Sequence, residues 1–160
     1  MVQLTDNSPA VKDAIRNAVT AFLHEAAGEL VSQTQKNVRV DTGQTKGSYQ
    51  YQLVEGQDEQ KAVIGSDYMN AVWEEFGTGE YALHGGRHGG WWIKVGNGPG
   101  EISPGAAEKY QWVKYRRDSD GNITFVFTYG KKPNKPMRRA YEALREPIKE
   151  QLVSRFDAEF

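Results

Sequence analysis

The feature that most constrains the fold is a single apolar stripe that recurs at helical spacing near the start of the chain. Its members are Val11, Ile15, Ala18, Val19, Phe22, Ala26 and Leu30. Asp13 and Arg16 fall on the opposite side. Ser8 can cap the first turn, and Pro9 suits a position where a missing N–H costs no hydrogen bond. The pattern predicts an amphipathic helix over residues 8–37.

A second stripe of the same period lies near the other end of the chain. It comprises Met137, Tyr141, Leu144, Ile148, Leu152 and Phe156. The spacing predicts a helix over residues 134–157. Pro147 lies within this range and should kink the helix or divide it in two, because proline removes a backbone donor.

Alternating residues between the two helices predict two hairpins. Tyr49, Tyr51 and Leu53 alternate with polar residues, and a turn at 56–59 leads to Ala62–Ile64, which predicts a hairpin over 47–66. The turn signal at 118–122 precedes Ile123, Phe125, Phe127 and Tyr129, which predicts a second hairpin over 110–129. The apolar segment 68–76 fits a short helix or a strand, and the glycine-rich range 77–109 predicts an extended loop.

These elements predict an α+β fold, in which an antiparallel sheet of two hairpins packs with both helices. The length of 160 residues suits one domain over 1–160. The chain has no cysteine, which excludes disulfides and thiolate metal sites, and no apolar run approaches the roughly 20 residues of a membrane span. We therefore expect no membrane partner.

Charge is distributed unequally along the chain. Residues 1–80 carry 6 Lys/Arg and 12 Asp/Glu, whereas residues 81–160 carry 14 and 9, so the halves have net charges of −6 and +5. This asymmetry fits a molecule whose two ends meet different partners, and it equally fits two mixed, solvated surfaces.

The sequence shows no catalytic set. A nucleophile elbow, a phosphate-binding loop and a His-Glu-x-x-His pair are all missing from it. Glu74 and Glu75 are adjacent and should point to different sides, which makes them a poor acid/base pair. We expect a protein that is not an enzyme and that holds no cofactor or metal.

The glycine-rich range contains the cluster His84-Gly85-Gly86-Arg87-His88-Gly89-Gly90-Trp91-Trp92. His84 and His88 could be metal ligands, but no third ligand lies close by in sequence. Alternatively, Arg87, His88 and Lys94 could contact phosphates while the tryptophans stack on bases. We favour a third interpretation, in which Arg87, His88, Trp91 and Trp92 are buried against a neighbouring subunit, because interface cores are enriched in aromatic residues and arginine.

The densest basic run precedes and opens the last helix. Its members are Lys131, Lys132, Lys135, Arg138 and Arg139. Such a run is usually a solvated face. It could also attract DNA phosphates, or pair with the acidic half of an adjacent copy.

Two short motifs have a local turn logic. In Asp41-Thr42-Gly43, the aspartate can accept backbone N–H groups two or three residues on, and the glycine can take positive φ. Glu75-Phe76-Gly77-Thr78-Gly79 ends an apolar segment at two glycines. We expect Gly43, Gly77 and Gly79 to require backbone freedom.

The order of these segments resembles one family. A long helix precedes Val40-Asp41-Thr42-Gly43, a hairpin follows, and Tyr68 leads through Ala71 into Glu75-Phe76-Gly77-Thr78. A glycine-rich loop that contains tryptophan follows. A basic, proline-containing segment, Lys131–Lys135, which we call the basic link, then leads into the terminal helix. This arrangement is similar to the gene-product-ten-like neck proteins of siphophages, which are also called minor capsid or tail-completion proteins.

The resemblance implies a structural virion protein at the junction of head and tail, made in the bacterial cytoplasm. It implies a homo-oligomeric ring, a hexamer or a dodecamer, that contacts the head-completion and tail-terminator proteins and could touch DNA in its lumen. Ring contacts would be heterologous, since one face of a copy meets a different face of the next. The alternative is a DNA-binding accessory module that acts through Lys131–Arg139. No residue set favours a hydrolase.

Overall fold

The computed structural model describes residues 7–56 and 59–159. Within them the chain forms two compact units, each built from separate stretches of sequence. The first contains the residues up to Asn37, Lys46–Asp67 and those from Pro136 onward, and the second contains Val38–Thr45 and Tyr68–Lys135. The sequence predicts one domain over 1–160 and does not predict a division into two units.

The first unit combines the two long helices with one hairpin. Helix α1 spans Ser8–Asn37, strands β1 (Tyr49–Glu55) and β2 (Gln60–Ser66) pair antiparallel, and helix α5 spans Pro136–Glu159. Helix α1 packs against α5 and against both strands. The core contains Phe22, Ala26, Ala27, Tyr49 and Ala140. The apolar stripe of α1 is therefore buried at Phe22 and Ala26, whereas its first members, Val11 and Ile15, are exposed.

The helix predictions for this unit are largely confirmed. Helix α1 has the predicted bounds, and α5 begins and ends two residues later than predicted. Helix α5 is not divided at Pro147. The first hairpin is also confirmed, although its predicted turn includes Gln57 and Asp58, which lie outside the described residues.

The second unit is built around a sheet of three strands. Helix α2 (Gln44–Gly47) spans the point in the sequence where the two units divide. Within the second unit, α3 (Met69–Phe76) is followed by a short 3₁₀ turn, Gly79–Tyr81. Strand β3 (Trp91–Lys94), helix α4 (Pro104–Lys109) and strands β4 (Lys114–Arg117) and β5 (Ile123–Thr128) complete the unit. The strand order is β3-β5-β4, and both pairings are antiparallel.

The core of the second unit lies on one face of this sheet. Val126 and Ile123 from β5 contact Ala107 of α4, and Ile93, Val95, Ile102 and Trp112 pack around them. Helix α4 is held at its start by Ser103, whose hydroxyl oxygen accepts the Ala106 N–H at 3.3 Å. On the opposite face of the sheet, Trp92 and Phe125 are exposed.

The α+β class is confirmed, but three details of the prediction are wrong. The two hairpins belong to separate sheets instead of one. The predicted loop 77–109 contains β3 and α4, because Trp91–Lys94 completes the sheet beside β5. Residues 110–113 precede β4 and are not part of a strand. The undecided segment 68–76 contains helix α3.

None of the helices in the described part of the chain combines the length and the apolar character needed to span a bilayer.

Candidate assembly site

Helix α3 carries its one buried charge on its inner side. Glu74 is 1% exposed and Ala71 is 6% exposed, so these two residues face the interior of the second unit. Four large apolar residues of the same helix are instead exposed at its surface. A charge inside and an apolar surface outside is the reverse of the usual arrangement for a helix on a soluble domain.

The Glu74 carboxylate is surrounded by donors from distant parts of the sequence. Its Oε2 accepts Arg39 Nε at 3.2 Å and Asn134 Nδ2 at 3.1 Å, while the Lys131 ammonium pairs with Oε1. The Glu74 carbonyl oxygen also accepts the backbone N–H groups of Asn134 and Lys135, at 2.8 and 3.1 Å. We call Glu74, Arg39, Lys131 and Asn134 the Glu74 cluster.

The electrostatics of the cluster favour the ionised carboxylate. Burial would by itself raise the pKa of Glu74, but the hydrogen bond and charge of Lys131, together with those of Arg39, outweigh it. The pKa of Glu74 is therefore held below its ordinary value of 4.5. A carboxylate that is paired with two cations and held in its ionised form is a poor general base, so the arrangement is suited to holding segments together.

The second sequence motif is tied to the basic link beside this cluster. Thr78 N–H donates to the Lys131 carbonyl oxygen and Thr78 Oγ1 accepts the Lys131 N–H, both at 2.9 Å. Gly77 has φ +75°, and a Cβ there would lie 2.8 Å from the Lys131 carbonyl oxygen. Gly79 has φ +61°, and a Cβ would lie 2.7 Å from Trp91 Cζ3. The prediction that both glycines need backbone freedom is confirmed.

The first motif differs in detail from the prediction. Gly43 has the expected positive φ of +87°. The Gln44 N–H lies 3.5 Å from Thr42 Oγ1, whereas Asp41 forms an ion pair with Lys109 at 3.6 Å. The Asp41 carboxylate, predicted to accept backbone N–H groups, thus takes part in an ion pair, and the motif side chain that lies near a backbone N–H is that of Thr42. The next residue, Gln44, accepts the Tyr68 hydroxyl at 3.2 Å, which connects the residue after the first motif to the residue before α3.

The basic run does not form one uniform solvated face. Lys131 is committed to Glu74, and the Lys132 ammonium lies 5.6 Å from the centre of the Tyr81 ring. Lys135 adopts φ +56°, and Arg138 pairs with Glu142 at 2.9 Å. Arg138 and Arg139 belong to the first unit, whereas the three lysines belong to the second. Lys131 is therefore already paired with a carboxylate of its own chain.

The outer side of α3 is an exposed apolar stripe. Met69, Val72, Trp73 and Phe76 are 61%, 46%, 46% and 40% exposed, and their spacing places them on one side of the helix. Phe76 contacts the His84 ring, and its carbonyl oxygen accepts the Leu83 N–H at 2.9 Å. We call Met69, Val72, Trp73 and Phe76 the outer stripe. Contiguous exposed apolar surface of this kind marks sites of protein association.

The two tryptophans of the glycine-rich cluster have different environments. Neighbours along a strand point to opposite faces. Trp91 is half-buried, and its ring lies against Gly79 with the Arg87 guanidinium 5.4 Å from its centre. Trp92 is 38% exposed, and His88 is exposed. The four predicted interface residues therefore do not form one surface.

No group of three or more His, Cys, Asp or Glu side chains within 7–56 and 59–159 is arranged to hold a metal ion. An open depression of about 360 Å³ is lined by residues that include Tyr110, Trp112, Glu108 and Arg117. Its Glu108 and Arg117 pair with each other at 3.6 Å, so these charges are already engaged.

Sequence reasoning missed Glu74 and Arg39 as the centre of the site. The signal was the position of Glu74 three residues after the small Ala71, which places both on one side of a helix. The sequence of segment 68–76 fits a helix or a strand and assigns no inner side, and the structure places its large apolar residues on the outer side of a helix.

A scan against protein-family models, a search of curated proteins and a search of solved structures found no match to this chain.

Proposed function

We propose that this chain is a structural connector protein from the neck of a long-tailed bacteriophage, where copies form a ring that joins the head to the tail. The proposal takes its identity from the order of the motifs between two helices. The outer stripe of α3 is the observation that carries an assembly role. A connector requires exposed surface that becomes buried between copies, and four adjacent exposed apolar side chains supply it.

The Glu74 cluster supports the same role by a different route. It fixes α3 to the residues around Arg39 and Lys131 through charged hydrogen bonds, which are among the stronger polar contacts in proteins. A helix that presents a binding surface gains from rigid support, because less conformational freedom is then lost on association. In this proposal the motifs hold the outer stripe in place.

The first test is the oligomeric state of the full chain. Native mass spectrometry and negative-stain electron microscopy should detect closed rings of one stoichiometry. Val72→Ser should weaken the ring about tenfold, because burying a valine side chain contributes about 1.5 kcal/mol. Val153→Ser is the matched control, since Val153 is 59% exposed on α5 and lies outside the stripe.

The connector role itself is tested in the phage. Deletion of the gene should leave filled heads and separate tails, and the Val72→Ser gene should complement poorly. Fully joined, infectious particles from the deletion would reject the proposal. A monomer that stays monomeric with purified neck components would also reject it.

A further inference from the structure

The open face of the three-stranded sheet carries cations and aromatic rings in alternation. The register places Trp92 opposite Phe127 and Phe127 opposite Lys114. One step along, Lys94 is opposite Phe125 and Phe125 is opposite Arg116. Because directly paired residues share a face, these six side chains lie on the side of the sheet away from Val126.

The contacts confirm that these side chains meet on one face. The Arg116 guanidinium lies 4.5 Å from the centre of the Trp92 ring, and Lys114 Nζ lies 6.0 Å from that of Phe127. The Trp92 and Phe127 rings are 5.3 Å apart and meet edge to face. Trp92 and Phe125 are 38% and 36% exposed, so their rings remain partly accessible.

In the part of the chain that the structure describes, two of the three cations on this face have no acidic partner. Lys94 pairs with Glu101 at 2.8 Å, which neutralises it and brings one carboxylate to this edge of the sheet. Lys114 and Arg116 form no ion pair within the described residues, and both are exposed on β4. They lie two residues apart on one strand, about 6.8 Å along its axis.

We infer that this face binds single-stranded nucleic acid, with phosphates on Lys114 and Arg116 and bases stacked on Trp92 and Phe125. Unpaired cations supply the charge complementarity to phosphate, and accessible rings beside them provide a stacking surface. Duplex DNA would use only the cations, because its base faces are already stacked inside the helix. The exposed rings therefore favour a single strand. The site goes beyond the proposed connector role and does not depend on it.

This site differs from the nucleic-acid contact considered on sequence. That contact joined Arg87, His88 and Lys94 to both tryptophans. In the structure, Trp91 lies on the opposite side of the strand and Lys94 pairs with Glu101. Lys114 and Arg116, which follow Lys94 by 20 and 22 residues in sequence, lie on the same sheet face as Trp92 instead.

The test measures binding of the full chain to a labelled oligothymidylate by fluorescence anisotropy, with an A·T duplex of equal length in parallel. The single strand should bind more tightly than the duplex. Trp92→Ala should weaken binding about 5- to 150-fold, since stacking on one ring is worth about 1–3 kcal/mol. Trp92→Phe, which keeps a ring, should restore most of the affinity.

The salt dependence tests the two cations. The double variant Lys114→Ala/Arg116→Ala should reduce the slope of log K against log salt by about 1.4, at about 0.7 for each phosphate that is no longer neutralised. Lys12→Ala/Lys36→Ala removes the same charge from exposed positions on α1 and should leave the slope unchanged. Thermal melting of each variant establishes that it is folded.

Four results would overturn the inference. These are absence of binding at low salt, equal affinity for the duplex, unchanged affinity in Trp92→Ala, and an equal effect of the α1 control. Tighter binding of a polyglutamate peptide than of the oligothymidylate would also overturn it, because the face would then be suited to an acidic protein. Ring assembly measured on the same variants keeps this outcome separate from that of the connector proposal.

Discussion

Arg39 Nε lies 3.2 Å from Glu74 Oε2, and the same guanidinium donates through Nη2 to the Lys132 carbonyl oxygen at 2.8 Å. One side chain thus bridges α3 and the basic link. The two charges differ in their access to water, since the side chain of Arg39 is 46% exposed and that of Glu74 is 2% exposed. Loss of a cation from the cluster therefore leaves a buried charge, whereas loss of the carboxylate leaves cations that can reach solvent.

Lys131→Met should lower the free energy of unfolding by about 3 kcal/mol, because Glu74 Oε1 then loses its ion pair in a buried position. Urea denaturation measures the loss. Lys132→Met is the matched control, since it removes the same charge from the next residue, whose ammonium lies over the exposed Tyr81 ring. It should lower the free energy of unfolding by less than about 1 kcal/mol. Equal losses in the two variants would contradict the role given to Lys131.

The stability of the fold should decrease in acid because of Glu74. Its pKa is lowered in the folded protein, so its contribution is fully present above the ordinary value of 4.5 and is lost as pH falls from there through the folded pKa. Denaturation of the wild type and of Glu74→Gln from pH 7 to pH 2 should give curves that converge in acid. Glu101 and Asp118 also have lowered pKa values, through hydrogen bonds from Lys94 and from the Asn122 backbone respectively, but they are present in both proteins. Parallel curves would show that Glu74 contributes nothing to the pH dependence.

Gly77→Ala should destabilise the protein by about 3 kcal/mol, since the new Cβ meets a carbonyl oxygen in a backbone conformation that is nearly restricted to glycine. Gly43→Ala should cost about 1 kcal/mol, because its φ is also positive but no atom lies within 4 Å of the new Cβ. Thermal unfolding of the two variants measures the difference. A larger loss at Gly43 would refute the packing argument.

Trp91→Ala should lower the free energy of unfolding by about 2 kcal/mol and Trp92→Ala by about 1 kcal/mol. The difference arises because Trp91 packs against Gly79, while Trp92 is exposed on the open sheet face. Chemical denaturation separates the two, and Trp73→Ala on the outer stripe provides a third tryptophan whose loss should barely change stability. If Trp92→Ala proved the more damaging, the assignment of the two sheet faces would be wrong.

The sequence was sufficient to predict those elements whose type is indicated by the spacing of apolar residues along the element itself. Helices α1 and α5 each carry an apolar repeat over several turns, and the strands of the first hairpin carry an alternating pattern. The type of each of these elements was predicted correctly. Strand β3 was missed because it is four residues long and lies among glycines, so that only its pairing with β5 defines it.

The orientation of α3 could not be obtained in the same way. Helical period shows that Met69, Val72, Trp73 and Phe76 share one side, but it does not show which side faces the interior. That choice depends on Arg39 and Lys131, which are 35 and 57 residues away from Glu74 in sequence. Individual turn residues were predictable because the ability to adopt positive φ at little cost is a property of glycine itself, whereas the buried ion pair is a property of the assembled chain.

The interleaving of the two units also determines the order in which they can be completed during synthesis. All the segments of the second unit have left the ribosome once Lys135 is exposed, whereas the first unit still lacks α5, against which α1 packs. Until the last helix emerges, the apolar stripe of α1 is without that cover. Translation that stops near Lys135 would therefore release a product with a complete second unit and an N-terminal helix whose apolar residues are not covered by α5. Such exposed apolar surface promotes aggregation, so the synthesis of α5 should protect the nascent protein from it.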